Sequence, residues 1–331
     1  MGHGLTINSQ RSDESWNSRV RITNRKTSMR TFWQCLALVV FLTGCGLPVQ
    51  HPEFTGLPET QRAETFTCCA DPERQPAWFA DLAIALSEPL EPLFDPGPGT
   101  GLMAAHPEAI DRAKTTAQPM DILALSAKSH AGSRFFSGWF THTAIYIGNE
   151  RKLRAAGLWS HPAITPHHDA IRGGMDVIHG IAPRVRLDRL DDVLSQRDAV
   201  AILRPTIGRQ EKGLVASRAL STLNYGFDFT YNLNTCDAFA CTEVVARSYK
   251  SIDFPLRELL GEPVLLPDDV AAKGIRNEGL RLVAYIEARE ASWVATGTRG
   301  AMERIAGFWG PSPVGPISPV SSSLKLAACR R

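Results

Sequence analysis

The sequence has little excess charge, no paired cysteine motif and no internal repeat. Its 36 basic and 34 acidic residues among 331 leave a formal net charge of +2. Because no strong cationic field would hold a phosphate backbone on one face, we expect no nucleic-acid partner. The seven cysteines form no C-x-x-C pair, and their spacing matches neither a zinc ribbon nor a small disulfide scaffold. With 44% hydrophobic residues, the chain has a globular composition.

The apolar run near the N-terminus is short and covers only residues 35–42. It follows a basic start at Met29-Arg30 and ends in the small residues Thr43-Gly44 before Cys45. A run of this length is too short to span a bilayer as an ordinary helix and is typical of a secretory signal peptide. The alternative is a signal anchor that is not cleaved.

The segment Leu42-Thr43-Gly44-Cys45 resembles the lipobox of bacterial lipoproteins. The resemblance implies that a diacylglycerol is attached to the Cys45 sulfur and that Cys45 becomes the first residue of the mature chain. Each buried acyl methylene contributes roughly 0.8 kcal/mol, so an acylated cysteine holds a soluble domain on a membrane without a spanning helix. We therefore expect a lipid-anchored protein of the bacterial cell envelope that faces the periplasm. Gly46, where an Asp would indicate inner-membrane retention, favours the outer membrane.

The rest of the chain divides by composition. Polar sequence precedes the signal, Pro-rich sequence with one helical pattern over 78–93 follows it, and Gly, Pro and Ser dominate the end. We expect translation to start at Met29. The predicted segments are a non-native extension at 1–28, a signal peptide at 29–44, a tether and helical preface at 45–117, the main domain at 118–290 and a disordered tail at 291–331.

Short β-rich runs within the main domain come before most of its helical patterns. Turn residues bound each run, which is typical of a small antiparallel sheet. The first helical pattern places Leu214, Val215, Leu220 and Leu223 on one face. These patterns predict an α+β fold with a small, mostly antiparallel sheet. The predicted strands are 121–125, 141–148, 175–179, 199–204 and 280–286, and the predicted helices are 210–223, 242–250 and 255–261.

Cys241 opens the second of these helices. A cysteine at a helix N-terminus faces unpaired backbone N–H groups and the positive end of the helix dipole, and both favour the thiolate over the thiol. This placement predicts a nucleophile. The alternative is a small buried hydrophobic residue, as many free cysteines are.

Two histidines lie on predicted strands. His142 is at the start of the second strand, where alternation places His142, Ala144 and Tyr146 on one face. From there it can reach a helix terminus packed against the sheet and serve as a base. His179 ends the next strand and can hydrogen-bond the second ring nitrogen of His142, which would fix its tautomer. The alternative for His142 is a solvated histidine at a strand end.

Several runs in fixed order resemble the permuted papain-like amidases of the YiiX/YaeF type, relatives of the NlpC hydrolases in which the histidine strand precedes the cysteine helix. The resemblance covers about residues 118–260. It implies a circularly permuted papain-like (NlpC-like) fold whose sheet packs against the nucleophile helix, with Cys241 as nucleophile and His142 as base. The runs are Phe140 to Gly148, Asp176 to Gly180, Val200 to Pro205, Tyr225 to Phe229 and Ala240 to Val245.

The match to the family pattern has three departures. Thr242 replaces the serine of the family's Cys-Ser-Glu-Leu-Val motif. The family usually has Glu-Ala where this chain has His179-Gly180, but related papain-like enzymes have a histidine there, so the resemblance favours His179 as the third catalytic residue. Met120 stands where a glycine usually precedes the first strand, which concerns a turn rather than the chemistry.

The sequence therefore predicts a lipid-anchored cysteine hydrolase that attacks an amide or ester bond through an acyl-enzyme. The expected substrates are peptides, peptidoglycan stem peptides or lipid acyl groups, and no cofactor or metal is expected. One alternative is a lipid-directed acyltransferase or thioesterase of the same fold. Another is a lipoprotein binding module without catalysis.

Three residues are further candidates for supporting the nucleophile: Glu243, Asp228 and Tyr225. We expect Glu243 and Asp228 to be capping or turn-forming rather than catalytic. The pair Cys68-Cys69 lies in the Pro-rich preface, and a disulfide from one of them to Cys236 would suit an oxidising periplasm.

Two other readings involve residues around the histidines. The aromatic residues Phe135, Phe136, Trp139 and Phe140 are interpreted as an acyl pocket, as part of the core or as a membrane-facing surface. A zinc site is disfavoured because its candidate ligands lack the tight spacing of such sites. Those ligands would be His142, His179 and Cys241, with Cys236 or the pair His167 and His168.

Overall fold

An antiparallel sheet of seven strands lies at the centre of the described structure. The computed structural model describes residues 59–66, 97–130, 138–231, 233–259 and 262–309. The strands within these ranges are β1 (Asp121–Ser126), β2 (His142–Tyr146), β3 (Met175–Ile181), β4 (Arg184–Arg189), β5 (Ala199–Pro205), β6 (Arg257–Leu259), β7 (Glu262–Val264), β8 (Leu280–Ala288) and β9 (Trp293–Thr296). The sheet order is β4-β3-β2-β1-β5-β8-β9, and β6 and β7 form a separate hairpin. Every paired strand is antiparallel, which confirms the predicted sheet type.

Helices cover the sheet and fill its connections. In the described ranges they are α1 (Glu59–Thr65), α2 (Pro107–Thr116), α3 (Glu150–Ala155), α4 (His168–Arg172), α5 (Leu190–Ser195), α6 (Arg209–Leu220), α7 (Cys241–Ser248), α8 (Pro267–Ile275) and α9 (Thr298–Trp309), with short 3-10 helices at Leu102–Ala105 and Thr165–His167. None of these helices combines the length and apolarity needed to cross a bilayer.

The two faces of the sheet carry separate hydrophobic cores. Helices α2 and α5 pack on one face, where the core includes Leu123, Ala144 and Val177. Helices α7, α8 and α9 pack on the other face, where it includes Ile145 and Ile178. Alternation along β2 therefore matches the prediction, with Ala144 and Tyr146 on one side and Ile145 and Ile147 on the other. Because both faces are covered, the central β1 is a continuous buried run.

Met120 adopts the left-handed conformation that glycine usually takes, with φ of +69°. A non-glycine residue in this region costs roughly 1–2 kcal/mol. Its backbone is held on both sides, since its N–H donates to the Tyr146 carbonyl at 2.7 Å and its carbonyl accepts from the Tyr249 hydroxyl at 2.7 Å. The turn before β1 is thus maintained without glycine.

Two local predictions are wrong. The helix expected at 255–261 is instead part of the β6–β7 hairpin, because Arg257 and Leu259 pair with Val264 and Glu262. In so short an apolar run, periodicity does not separate a helix from a strand, and the partner strand decides. On α6, Leu214 is 43% exposed, and the buried side is formed by Val215 and its helical neighbours.

The C-terminal segment also differs from the expected disordered tail. Strand β9 pairs with β8 and α9 packs on β8. Ala301, Met302 and Ile305 of α9 enter the core, which the Gly- and Ser-containing composition of this stretch did not indicate. Residues 310–331, the predicted helix 78–93 and the proposed signal and lipidation segment lie outside the described residues.

Candidate active site

Cys241 is the first residue of α7 and is preceded by Ala240 in extended conformation. The Ala240 carbonyl accepts the N–H groups of Glu243 and Val244 at 3.1 and 3.2 Å, and the Glu243 carboxylate accepts the Ala240 N–H at 2.7 Å. This is one half of a capping box. The N–H groups of Cys241 and Thr242, which precede the first helical hydrogen bond, point out of the helix end.

The helix begins where β2 and β3 stop pairing. These strands pair only at Ile145–Ile178 and Tyr146–Val177. The same register would place Thr143 opposite Gly180, but the pairing ends before that point. The chain leading to Cys241 lies there instead, since a Cβ on Gly180 would be 2.7 Å from the Phe239 carbonyl oxygen and 3.0 Å from the Ala240 carbonyl carbon. Gly180 thus permits the close approach to β3 of the segment that leads into Cys241.

The Cys241 thiol is enclosed in this opening, and the residue is 6% exposed. Burial raises the pKa of the thiol. The Thr143 N–H, the Thr242 N–H and the charge of Arg197 favour the thiolate, but they offset burial only in part. The resting form at neutral pH is therefore the thiol rather than the thiolate that its position alone predicts.

His142 lies one residue from Thr143 on the other face of β2 and is 7% exposed. Its Nε2 is 2.8 Å from Nδ1 of His179, and the two rings meet edge to face. Burial, followed by the charge of Arg197, lowers the pKa of His142 well below its usual range, so the ring is neutral at pH 7. Within the described ranges Cys241 and His142 form no direct hydrogen bond, although the Arg197 charge acts on both.

His179 makes a second hydrogen bond, to Asp188, which was not predicted from the sequence. Its Nε2 is 2.8 Å from Oδ2 of Asp188, and the same oxygen accepts Nε of Arg186 at 2.7 Å. Asp188 lies on β4, which pairs with β3. The alternation of apolar and charged residues in Arg184–Arg189 was the available signal for this strand. The predicted contact between His142 and His179 is present.

The three supporting candidates lie around the start of α7. Glu243 is fully buried, and burial raises the pKa of its carboxyl to about 8. Asp228 accepts the N–H and hydroxyl of Thr230 at 2.8 and 2.6 Å, which is a turn-forming role. The Tyr225 ring packs on Phe239, two residues before Cys241, with the ring centroids 5.0 Å apart. Each is a structural support of the loop in this arrangement.

Two further residues near the thiol were not found from the sequence. Arg197, which is 4% exposed, precedes β5 and bears on the pKa values of Cys241, His142 and His179. Tyr231 has a positive φ of 54°, and burial raises the pKa of its hydroxyl. A single arginine and a single tyrosine in loops give no motif from which their position could be predicted.

The segment that leads into His142 is held by a buried carboxylate. Asp268 of α8 accepts the N–H groups of Trp139 and Phe140 at 2.7 and 2.5 Å, and burial raises the pKa of its carboxyl to about 7. The side chains of Trp139 and Phe140 belong to the core, which is one of the three predicted interpretations. Phe135 and Phe136 lie outside the described residues.

The structure also bears on the predicted disulfide and on the disfavoured zinc site. Cys236 is disulfide-bonded and Cys241 is free. Cys68 and Cys69, the predicted partners of Cys236, lie outside the described residues. His168 stacks on Trp159, away from a shared ligand set, and no group of three metal-ligating side chains occurs in the part of the chain that the structure describes.

A cysteine at the start of a helix that packs on an antiparallel sheet, with the histidine strand earlier in the chain, defines a papain-like hydrolase in permuted order. The family model described as permuted papain-like amidase enzyme, YaeF/YiiX, C92 family, matches residues 116–296. This match covers more than half of the chain, and the protein belongs to this family. No curated protein and no solved structure matches the chain. The predicted fold class, α+β with a permuted papain-like fold, is confirmed.

Proposed function

We propose that the protein is a cysteine amidase in which Cys241 is the nucleophile, His142 the general base and His179 the residue that orients the base. The observation that supports this most is the position of the only free cysteine in the described ranges. It lies at a helix N-terminus, beside Thr143 and therefore one residue from His142. The amidase family to which the chain belongs favours an amide bond over an ester.

The pair starts as a neutral thiol and a neutral imidazole, because burial raises the pKa of one and lowers that of the other. Since β2 pairs with β1 but not with β3 at Thr143, the sulfur can approach His142 along the side of the strand that faces β3. His142 accepts the thiol proton while the sulfur attacks the substrate carbonyl carbon. The tetrahedral oxyanion is stabilised by the Cys241 N–H at the positive end of α7.

The imidazolium then protonates the leaving amine, the C–N bond breaks and a thioester remains on Cys241. In the second half, His142 removes a proton from a water molecule that attacks the thioester carbonyl. Collapse of this intermediate releases the carboxylic acid and returns the proton to the sulfur. Transfer of the acyl group to an alcohol or amine instead of water would make the same site an acyltransferase.

The substrate follows from the proposed location. If Cys45 carries lipid, the domain is held at the cell envelope, where peptidoglycan peptides and lipid acyl groups are both present. We favour peptidoglycan peptides because the family is one of amidases. A thioesterase or acyltransferase acting on lipid is the second candidate, and a binding module without turnover is the third.

Hydrolysis of a matched panel tests this proposal. The purified protein is incubated with peptide amides, the corresponding esters and a peptidoglycan digest, and products are quantified by chromatography. We expect amide cleavage that is lost in Cys241→Ala and falls about 100-fold or more in His142→Ala, since general base catalysis contributes roughly 100- to 10,000-fold. Cleavage of esters alone would favour the thioesterase, and no cleavage by folded protein would favour the binding module.

A further inference from the structure

The hydrogen-bonded chain His142–His179–Asp188 is longer than the catalytic pair requires. We propose that Asp188, itself held by Arg186, fixes the protons on both histidines so that Nδ1 of His142 is the bare nitrogen that accepts the thiol proton. Asp188 is then a positioning residue that acts through His179. This inference rests on the proposed function in one respect, which is that His142 is taken as the base.

The proton positions follow from which groups can donate. Oδ2 of Asp188 already accepts the Arg186 N–H at 2.7 Å, and an ionised carboxylate only accepts. Nε2 of His179, at 2.8 Å from that oxygen, must therefore carry its proton. In a neutral imidazole the other nitrogen is then an acceptor. Nδ1 of His179 thus accepts from Nε2 of His142 at 2.8 Å, and Nδ1 of His142 is left without a proton.

Without Asp188, either histidine can be the donor in the hydrogen bond that joins His142 and His179. Nδ1 of His179 could donate to Nε2 of His142, and His142 would then carry its proton on Nδ1. In that tautomer the nitrogen available to the sulfur is a donor and cannot accept a proton. The Asp188 carboxylate removes this alternative, because it requires a proton on Nε2 of His179, and Nδ1 of His179 can then only accept.

Charge around the chain supports the same role for Asp188. Although burial would raise the pKa of Asp188, hydrogen bonds from His179 and Arg186 lower it to about 2, so it is ionised wherever the enzyme is folded at neutral pH. The groups around His142 are the positively charged Arg197 and Arg186 and the ring of His179 on β3. His179 faces the same two arginines and Asp188. Asp188 is therefore the negative group that offsets these cations when His142 becomes an imidazolium.

Nitrogen-15 NMR of histidine-labelled full-length protein reads these tautomers directly. The His142 and His179 signals are assigned from their loss in His142→Gln and His179→Gln. In the wild type we expect both rings to be protonated on Nε2 and bare on Nδ1. In Asp188→Ala we expect the His142 signals to shift towards a mixture of tautomers. Asp188→Asn keeps an acceptor oxygen and is expected to retain the wild-type tautomer without the charge.

Kinetics provide the second readout. We expect kcat/KM to fall about 10- to 100-fold in Asp188→Ala, by analogy with the effect of removing a group that orients a metal-ligating histidine. The acid limb of the pH profile should shift in Asp188→Asn as well, because the charge is lost. Asp192→Ala, a half-exposed aspartate on the neighbouring α5, is the matched control and should leave tautomers and kinetics unchanged.

The result that overturns the proposal is a wild-type His142 protonated on Nδ1, or unchanged tautomers in Asp188→Ala. The wild-type spectrum alone decides the first point, so a variant that fails to fold does not remove the test. Absence of turnover with every substrate would contradict the proposed function, whereas the tautomers are still measured in that case.

Discussion

Burial determines the protonation state of both members of the proposed catalytic pair. It raises the pKa of Cys241 and lowers that of His142, so each change favours the uncharged form. A site that starts from neutral groups needs an accurately placed base more than a strong cation, because the proton moves only when the substrate arrives. Position at a helix N-terminus favours the thiolate, but desolvation outweighs it in the resting site.

The rate of alkylation as a function of pH tests this balance. Iodoacetamide reacts with the thiolate, so its rate follows the ionised fraction of Cys241. Because the pKa is raised, we expect the rate to keep rising with pH beyond the ordinary cysteine value of about 8.5. Unfolded protein is the control and should titrate at that ordinary value. A plateau below pH 7 in folded protein would show a preformed ion pair and contradict this account.

Some residues of the site could be predicted from sequence motifs and periodicity, and others could not. A helix start and two strand patterns made Cys241, His142 and His179 candidates, and the resemblance to the permuted papain-like amidases selected them. Asp188, Arg197 and Tyr231 were not predicted, because their proximity to the site depends on strand pairing and loop packing between distant parts of the chain. The predicted contact of His142 with His179 is present, whereas the roles of these residues stay predictions.

At the scale of elements, the site depends on the opening between β2 and β3. Pairing that ends at Ile145–Ile178 leaves room for the start of α7 between the strands. Gly180 then contacts the backbone of the loop before Cys241, where no side chain fits. The departure from the family's Glu-Ala at His179-Gly180 thus places a ring in the hydrogen-bonded chain and removes a Cβ from the loop contact.

Gly180→Ala should displace Cys241, the proposed nucleophile, without unfolding the sheet. The added Cβ would lie 2.7 Å from a carbonyl oxygen, so the backbone has to move. A misplacement of about 1 Å can reduce the rate about 100-fold, and we expect kcat to fall by roughly that factor. Circular dichroism checks the fold. Gly208→Ala, where no atom lies within 4 Å of the new Cβ, is the control. Full activity of Gly180→Ala would show that the contact is unimportant.

Strands that are long and apolar were predicted from the sequence, whereas short or highly charged strands were not. Strands β1, β2, β3, β5 and β8 were predicted within a few residues because each is a strong apolar run bounded by turns. Strand β4 is rich in arginine and aspartate, and β6 and β7 are three residues each. Their conformation is decided by the partner strand, which local sequence does not contain.

For the whole molecule, the proposed lipid anchor decides where the hydrolase acts. No helix in the described ranges is long and apolar enough to cross a bilayer. The proposed attachment is through the segment that ends in Cys45. We expect wild-type protein expressed in a bacterium to incorporate labelled palmitate and to fractionate with membranes. Cys45→Ser should lose the label. Membrane association that persists without label in the variant would instead indicate the uncleaved signal anchor.

The central claim is that Cys241 forms an acyl-enzyme with the help of His142, and intact-protein mass spectrometry tests it most directly. Wild type, Cys241→Ala and His142→Ala are incubated with a panel of activated acyl and peptidyl probes. We expect a mass adduct on the wild type, none on Cys241→Ala and none on His142→Ala within the same time. The mass of the adduct would indicate the substrate class. No adduct on folded wild-type protein with any probe, or an equal adduct on Cys241→Ala, would contradict the account.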